Sequence, residues 1–396
     1  MAEKKHYATF DLFRILASFG VVFGHVFILF FQQGYARIHF VPWRFAQIEA
    51  VCVSIFFIIS GIFIANSLEK TKKILPFETF AFINKKRFFR LYEPLLFATA
   101  LYLFVGHFIL HNIGFKDFTL YWPTLLMIGQ IDGIPGVVGA WYISTLFFVG
   151  IPLTALLCFR KEISLAIVFP IVFLIGFSFL YAIYGNSAVH DYPRIGNFFS
   201  AGVVKCAVEL IIGIELFYGA RIFRTHFIIK DSVFSKIAIA VLEICSSLGM
   251  LYVITQNRYD THYTFVIYPC CIVLFFIFLL RREVVFGFCS KAGAAISICA
   301  KYTLMLYLTH CQLVGLIAQF FDVTKYSKTA VMLITLFMSV IFAVCMHHVN
   351  EILRKAIRKV LCLFAVPRWG GVQTNSAFFA FWHTIFETRR NTSWVR

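Results

Sequence analysis

Ten apolar windows of about 20 residues follow one another through the first 350 positions. The hydrocarbon core of a bilayer is about 30 Å thick, and a helix needs about 20 predominantly apolar residues to cross it. The whole chain is 60% hydrophobic, against about 45–50% in soluble domains, and only 14% charged. The sequence therefore predicts an all-α polytopic membrane protein with about ten transmembrane helices. The predicted spans are 9–31, 47–67, 94–113, 137–158, 163–184, 199–219, 234–254, 263–280, 296–320 and 329–349.

The chain is expected to consist of a membrane domain, residues 1–350, and a basic cytoplasmic tail, residues 351–396. The tail begins EILRKAIRKVLCLFA, which places basic residues on one helical face and apolar residues on the other. Such a helix is typical of segments that lie on an anionic inner leaflet; a partner-binding helix is the alternative. The segment 119–129 is too short to span and is expected at the membrane interface.

Lysine and arginine predict the orientation, because cytoplasmic loops carry an excess of these residues. One set of loops and termini holds 26 of the 36 basic residues, and the opposite loops hold seven. Both termini are therefore predicted to be cytoplasmic, and the first apolar segment is interpreted as a retained span rather than a signal peptide. The formal charge of +17 is spread between spans, which argues against a nucleic-acid partner.

The first predicted span contains an arginine and a histidine within RILASFGVVFGH, residues 14 to 25. Eleven residues at about 100° each bring His25 to within about 20° of the direction of Arg14, about 16 Å further along the helix. Ionisable groups inside a span usually face a protein interior or a wet cavity. The alternative is that Arg14 extends to the inner headgroups and His25 simply hydrogen-bonds a neighbouring helix.

Four further motifs accompany this pair. The Ser60–Gly61 pair in the second span allows close helix approach. Arg87 and Arg90 are expected at the membrane surface just before the third span, where they either anchor the chain or bind phosphate bidentately. Trp141 and Tyr142, in AWYIS, fit an aromatic belt. Tyr307 and His310, one turn apart in YLTH, are expected in the middle of the ninth span, at a depth similar to that of His25.

The ordered set resembles acyltransferase family 3: Arg14 with ten residues to His25, then FFIISG, Arg-x-x-Arg-x-x-x-Pro, WYIS and YLTH. Members are bacterial inner-membrane O-acyltransferases that modify cell-surface glycans, and the resemblance covers residues 9 to about 349. Two positions depart from the usual pattern: Thr145 stands where many members have glutamate, and Glu93 precedes the proline.

The resemblance implies a function and roles for the motif residues. It implies transfer of an acyl group, usually acetyl, from cytoplasmic acetyl-CoA to a hydroxyl of a surface glycan or its lipid-linked precursor, with acetyl-CoA as a substrate rather than a bound cofactor. Imidazole titrates near neutral pH, so His25 is the expected base, and Arg14 would steady either the CoA end or the thioester. Arg87 and Arg90 would hold CoA phosphates. Ser60, Trp141, Tyr307 and His310 would line the pocket, and the Tyr307 hydroxyl is expected to fix the tautomer of His310.

Two further points concern metal binding and an alternative function. No metal is expected, because two histidines without a third ligand do not make a zinc site. Lys205 and Glu209, one turn apart in the sixth span, with Glu243 in the seventh, would suit an ion-coupled transporter or glycan flippase. A structural ion pair accounts for the same residues.

Overall fold

The computed structural model describes residues 8–27, 48–71, 75–127, 139–184, 194–195, 199–228, 231–255 and 263–364. The predictions for the first seven residues and for the tail beyond residue 364 lie outside these ranges. Within them, one long helix corresponds to each predicted span. These ten helices are α1 (Ala8–Phe27), α2 (Ile48–Lys70), α3 (Pro76–Phe104), α4 (Ala140–Phe159), α5 (Phe169–Tyr184), α6 (Ala201–His226), α7 (Val233–Ile254), α8 (Tyr263–Leu280), α9 (Thr303–Phe320) and α10 (Lys328–Phe364).

Short elements connect these helices. They are π-helical turns at Val105–Ile109 and Ser164–Val168, 3₁₀ turns at Phe115–Tyr121, Val285–Gly287 and Val323–Lys325, and short helices at Trp122–Leu125, Lys161–Ile163, Phe288–Lys291 and Gly293–Ala300. The strands Arg194–Ile195 and Phe199–Ser200 pair antiparallel.

The architecture confirms an all-α polytopic membrane protein. Eight helices in the described part of the chain are long and apolar enough to cross a membrane. A ninth candidate is the pair Phe265–Leu280 and Val285–Lys291, which is bent by 50°. The remaining predicted span corresponds to α6, which is 26 residues long but carries Lys205, Glu209 and Glu215 within its apolar stretch.

Burial separates central helices from peripheral ones. In α2, 83% of the apolar window is buried inside the protein. In α7, and in the candidate span Lys161–Ala182 that contains most of α5, only 22% of the apolar window is buried. Helix α2 packs most extensively against α6, where Gly61 contacts the carbonyl of Leu210 and Gly213 contacts that of Ile58. Side chains at these two positions would collide with backbone, so the glycines are required by the close helix approach.

Helix α1 lies against α2, α9 and the short helix Gly293–Ala300. Its cytoplasmic half, in the predicted orientation, is anchored by Phe10 and Phe13, whose rings contact Phe275 and Phe278 of α8 at centroid distances of 5.4–5.9 Å. Edge-to-face contacts of this kind are favourable for aromatic rings. The anchoring fixes the rotation of α1 and with it the direction of its polar side chains.

Two boundaries differ from those expected. Helix α3 begins at Pro76, which occupies the first helical turn, rather than near residue 94. The basic segment with Arg87 and Arg90 is therefore helical and lies within a candidate span, Pro76–Ile109. Helix α10 is continuous and includes the first residues of the tail, 351–364. By compact packing, residues 1–348 and 349–396 form two separate units.

Candidate active site

Two histidines from different helices meet inside the bundle. The rings of His25 on α1 and His310 on α9 have centroids 4.9 Å apart. His310 is 1% exposed, whereas the side chain of His25 is 24% exposed. The pair therefore combines a buried imidazole with one that a substrate can reach.

Both histidines direct Nδ1 towards a backbone carbonyl of their own helix. His25 Nδ1 lies 3.1 Å from the carbonyl oxygen of Val21, and His310 Nδ1 lies 3.1 Å from that of Leu306. A carbonyl oxygen only accepts hydrogen bonds, so each neutral ring carries its hydrogen on Nδ1 and keeps a lone pair on Nε2. The Nε2 atom of His310 has no hydrogen-bond partner in the described part of the chain.

This geometry corrects the expectation for Tyr307. The carbonyl of Leu306, rather than the Tyr307 hydroxyl, fixes the tautomer of His310. The centroids of the Tyr307 and His310 rings are 6.3 Å apart. Tyr307 instead packs edge-on against Tyr142, with centroids 5.4 Å apart, and forms part of an aromatic wall.

A carboxylate that the sequence analysis did not consider lies beside His25. Glu49, near the start of α2, has Oε1 3.6 Å from His25 Nδ1, and its side chain is 10% exposed. A carboxylate on this side of an imidazole orients the ring and stabilises its protonated form. The available signal was an acidic residue at the start of an apolar window.

Arg14 lies on the same face of α1 and has polar partners of its own. Its Nη1 donates to Asp11 Oδ1 at 3.0 Å, and its Nη2 is 3.5 Å from Thr303 Oγ1. Between Arg14 and His25, the fully buried Ser18 donates to the Arg14 carbonyl at 2.8 Å. The guanidinium is thus held within the protein, with 20% of the side chain exposed.

Arg87 lies deeper than expected. Its Nη2 donates to the carbonyl of Leu146 on α4 at 2.5 Å, and its guanidinium contacts Gly150, where a larger residue would collide with it. The Nη1 atom is buried and has no hydrogen-bond partner within the described ranges. Arg87 therefore reaches into a helix–helix contact and has a donor available.

The three arginines all interact with Tyr142. Arg14 and Arg87 both interact electrostatically with Tyr142, and Arg90 interacts with Arg14, Asp11 and Tyr142. Arg90 is exposed, and Pro94 leaves its carbonyl without the usual helical hydrogen bond. Three positive charges and one carboxylate give this part of the site a net positive potential, which favours a polyanionic ligand.

Ser60 and the aromatic residues close the space between the arginines and the histidines. The Ser60 and Tyr142 hydroxyls are 3.3 Å apart, and Tyr142 packs on Phe57 with centroids 4.7 Å apart. Trp141 meets the same Phe57 ring edge-on at 6.2 Å. Tyr142, considered only as a belt residue in the sequence, belongs to the site.

Gly139 sets the position of this wall at the start of α4. Its φ of +91° is in the left-handed region, and a Cβ atom there would lie 2.8 Å from the ring of Tyr307. Both restrictions select glycine. The turn therefore brings Tyr142 against Tyr307 of the YLTH segment.

The residues proposed from the sequence lie on helices α1, α2, α3, α4 and α9. A family model described as an acyltransferase domain, acyltransferase 3, matches residues 7–348. The chain belongs to this acyltransferase family. No significant match to a curated protein or to a solved structure was found. The family match identifies the protein as a membrane acyltransferase, and it spans all of the site residues.

One of the two positions at which this acyltransferase departs from the usual motif is also in the bundle interior. Thr145 is fully buried, and its Oγ1 has no hydrogen-bond partner among the residues that the structure describes. It lies one turn after Trp141. A glutamate there would place a carboxylate where this chain has a small hydroxyl.

Two of the residues considered for a transporter form an ion pair. Lys205 and Glu209 are fully buried, with Lys205 Nζ 3.7 Å from Glu209 Oε1 and 3.4 Å from the carbonyl of Ala50. Tyr268 donates to Glu209 at 3.0 Å. Glu243 accepts instead from the backbone N–H groups of Val284 and Val285, at 3.1 and 2.6 Å. Glu243 therefore binds a different segment from the ion pair.

Proposed function

We propose that this acyltransferase moves an acyl group, most simply acetyl, from cytoplasmic acyl-CoA to a hydroxyl of a cell-surface glycan or of its lipid-linked precursor. The observation that carries the proposal is the reachable His25 imidazole on the same helical face as Arg14, with Arg90 interacting with that arginine and Arg87 interacting with Arg90. A base, an anion site and a polar path between them are what thioester-to-hydroxyl transfer requires.

The donor end is the arginine region. CoA carries a diphosphate and a further phosphate, and guanidinium groups bind phosphate oxygens through two parallel hydrogen bonds. Arg87 Nη1 is a buried donor with no described partner, so an anionic ligand would remove an unsatisfied hydrogen bond. The thioester arm would then extend past Arg14 towards His25.

The chemical step uses Nε2 of His25. As the acceptor hydroxyl attacks the thioester carbonyl, Nε2 takes the hydroxyl proton, and Glu49 stabilises the resulting imidazolium. Collapse of the tetrahedral intermediate breaks the C–S bond, and the thiolate of CoA receives that proton. The products are the O-acyl glycan and free CoA. General base catalysis of this kind typically contributes about 10²–10⁴-fold.

An acyl-histidine route uses the same nitrogen as the nucleophile. The two routes differ in the timing of CoA release. With acyl-CoA and no acceptor, stoichiometric release of CoA indicates the covalent route, and no release indicates direct transfer.

The surface glycan of a deletion strain tests the proposed function. Mass spectrometry of its glycans, compared with wild type and with a complemented strain, should show one glycan without its O-acyl groups in the deletion strain alone. Normal acylation together with a glycan retained inside the cell would contradict the proposal and favour the flippase.

A further inference from the structure

A third metal-ligand group lies beside the two histidines. One ligand atom each of His25, His310 and Cys311 lie within 4.8 Å of one another. Two imidazoles and a thiolate are a ligand set that Zn²⁺ prefers. The sequence analysis expected no metal because it found no third ligand; the fold supplies one from the residue after His310.

The spacing is close to that of a filled site. Zn–N distances of about 2.0–2.1 Å and Zn–S distances of about 2.3 Å, at tetrahedral angles, separate neighbouring ligand atoms by about 3.4–3.6 Å. The longest separation in the cluster would contract by about 1 Å, and two of its three members, His25 and Cys311, are partly exposed.

Both histidines are already arranged as metal ligands. In metal sites the nitrogen that does not bind the ion usually donates to a backbone carbonyl or a carboxylate, which fixes the tautomer. Here the Nδ1 atoms contact the carbonyls of Val21 and Leu306, and Glu49 lies 3.6 Å from His25 Nδ1.

Burial supplies an independent indication of a ligand. His310 Nε2 is buried, and the described residues give it no hydrogen-bond partner. Leaving such an atom unpaired is unfavourable, and an ion bound at this nitrogen would remove that cost. The 24% exposure of the His25 side chain leaves an entry path.

We propose that His25, His310 and Cys311 form a Zn²⁺ site whose occupation removes the His25 lone pair from catalysis, so that Zn²⁺ is a reversible inhibitor of acyl transfer. Metal binding displaces the proton of the Cys311 thiol into solvent and leaves a fourth position for water. The inhibition rests on the proposed function; the binding of the metal does not.

Cobalt substitution tests the site itself. Purified full-length protein in detergent, titrated with Co²⁺, should develop a thiolate-to-metal absorption band in the near ultraviolet and the visible bands of a tetrahedral ion. Cys311→Ala should lose the thiolate band and bind Zn²⁺ at least about tenfold more weakly, since even indirect supporting residues change metal affinity by about 10–100-fold. Cys299→Ala, at an exposed cysteine elsewhere, is the control and should keep the wild-type spectrum. A wild-type protein without the thiolate band would overturn the site.

Zinc titration of the acyl-transfer reaction tests the regulation. Cys311→Ala should retain acyl transfer within about twofold of wild type and need at least about tenfold more Zn²⁺ for half inhibition, and a chelator should restore wild-type activity. Equal zinc sensitivity of the two proteins would overturn the inhibition. A cobalt–thiolate band in a protein that transfers no acyl group would contradict the proposed function and leave the metal site standing.

Discussion

The bundle contains two polar clusters that differ in solvent exposure and in how their charged groups are paired. The first, called the active-site cluster, comprises His25, His310 and Glu49 with the arginines at positions 14, 87 and 90. It retains exposure at His25, and within the described residues His310 Nε2 and Arg87 Nη1 have no hydrogen-bond partner. The second, called the ion-pair cluster, comprises Lys205, Glu209 and Tyr268. Its two charged residues are fully buried and paired with each other, and one oxygen of Glu209, Oε2, has no hydrogen-bond partner among the described residues.

The difference separates two uses of charge inside a membrane protein. A buried ion pair with additional hydrogen bonds holds helices together, and removing one partner leaves an uncompensated charge. A histidine that keeps an accessible lone pair gains nothing structurally from that lone pair, so its presence favours chemistry or ligand binding. Ionisable residue types within a span do not distinguish the two cases; their partners do.

Replacing His25 should give the largest effect, because it removes the reactive nitrogen of the active-site cluster. We expect His25→Ala to reduce glycan acylation by at least about 100-fold at normal membrane abundance. The measurement is the acetyl content of surface glycan at matched expression. His226→Ala, at an exposed histidine at the end of α6, is the control and should acylate normally. Acylation close to wild type in the His25 variant would show that the active-site cluster has a structural role and no catalytic one.

Breaking the ion-pair cluster should act through stability. Lys205→Ala leaves Glu209 buried without its cation, which typically costs about 3–5 kcal/mol. We expect lower membrane abundance and a lower midpoint of thermal unfolding in detergent. The double variant Lys205→Met/Glu209→Leu should recover most of the stability, because no isolated charge remains.

The activity of the protein that remains folded sharpens this test. In the Lys205 and Glu209 variants, acyl transfer per folded molecule should match wild type. A double variant that is stable but inactive would show that the ion-pair cluster takes part in function.

The arginines of the active-site cluster should affect the donor. Arg87→Gln/Arg90→Gln should raise the acetyl-CoA concentration for half-maximal rate by about tenfold or more, because charge-assisted hydrogen bonds contribute about 1.5–3 kcal/mol. Lysine at both positions should rescue poorly, since a point charge does not reproduce the bidentate fork. The control is Lys85→Gln/Lys86→Gln, which changes the charge of the same segment. An equal effect of both pairs would indicate membrane anchoring.

The smallest effect is expected at His310, where the ring supports the site from a buried position. His310→Ala should lower acylation by about tenfold or less, since it removes a hydrogen bond and leaves a cavity beside His25. The ratio of its residual rate to that of His25→Ala, at matched abundance, is the informative measurement. If the His310 variant were as inactive as the His25 variant, the result would contradict the assignment of His25 as the base and His310 as a supporting residue.

The sequence was sufficient to predict the long helices and much of the candidate site. Apolar windows located all ten long helices, and helical periodicity placed Arg14 and His25 on one face. YLTH was expected near His25 in depth, and the structure brings His310 into ring contact with it. These predictions depend on regularities within single helices, which one sequence displays.

The rest depends on which helices are neighbours and in which register. Glu49 and Cys311 resemble an ordinary terminal acid and an ordinary apolar cysteine until α1, α2 and α9 are packed together. The start of α3 was missed for a different reason. Hydropathy locates the apolar part of a helix, whereas Pro76 begins a helix that carries its charged first half into contact with α4.

Arg14 and His25 belong to one uninterrupted helix, and the helix fixes the distance between them. The rise of about 16 Å between them does not change when loops move or neighbouring helices shift, since it is fixed by backbone hydrogen bonds alone. In the proposed mechanism, a donor held near Arg14 can deliver its acyl group at His25 only if its flexible arm covers that rise. Carrier length, rather than the recognition of the acyl group itself, would then decide which thioesters are used.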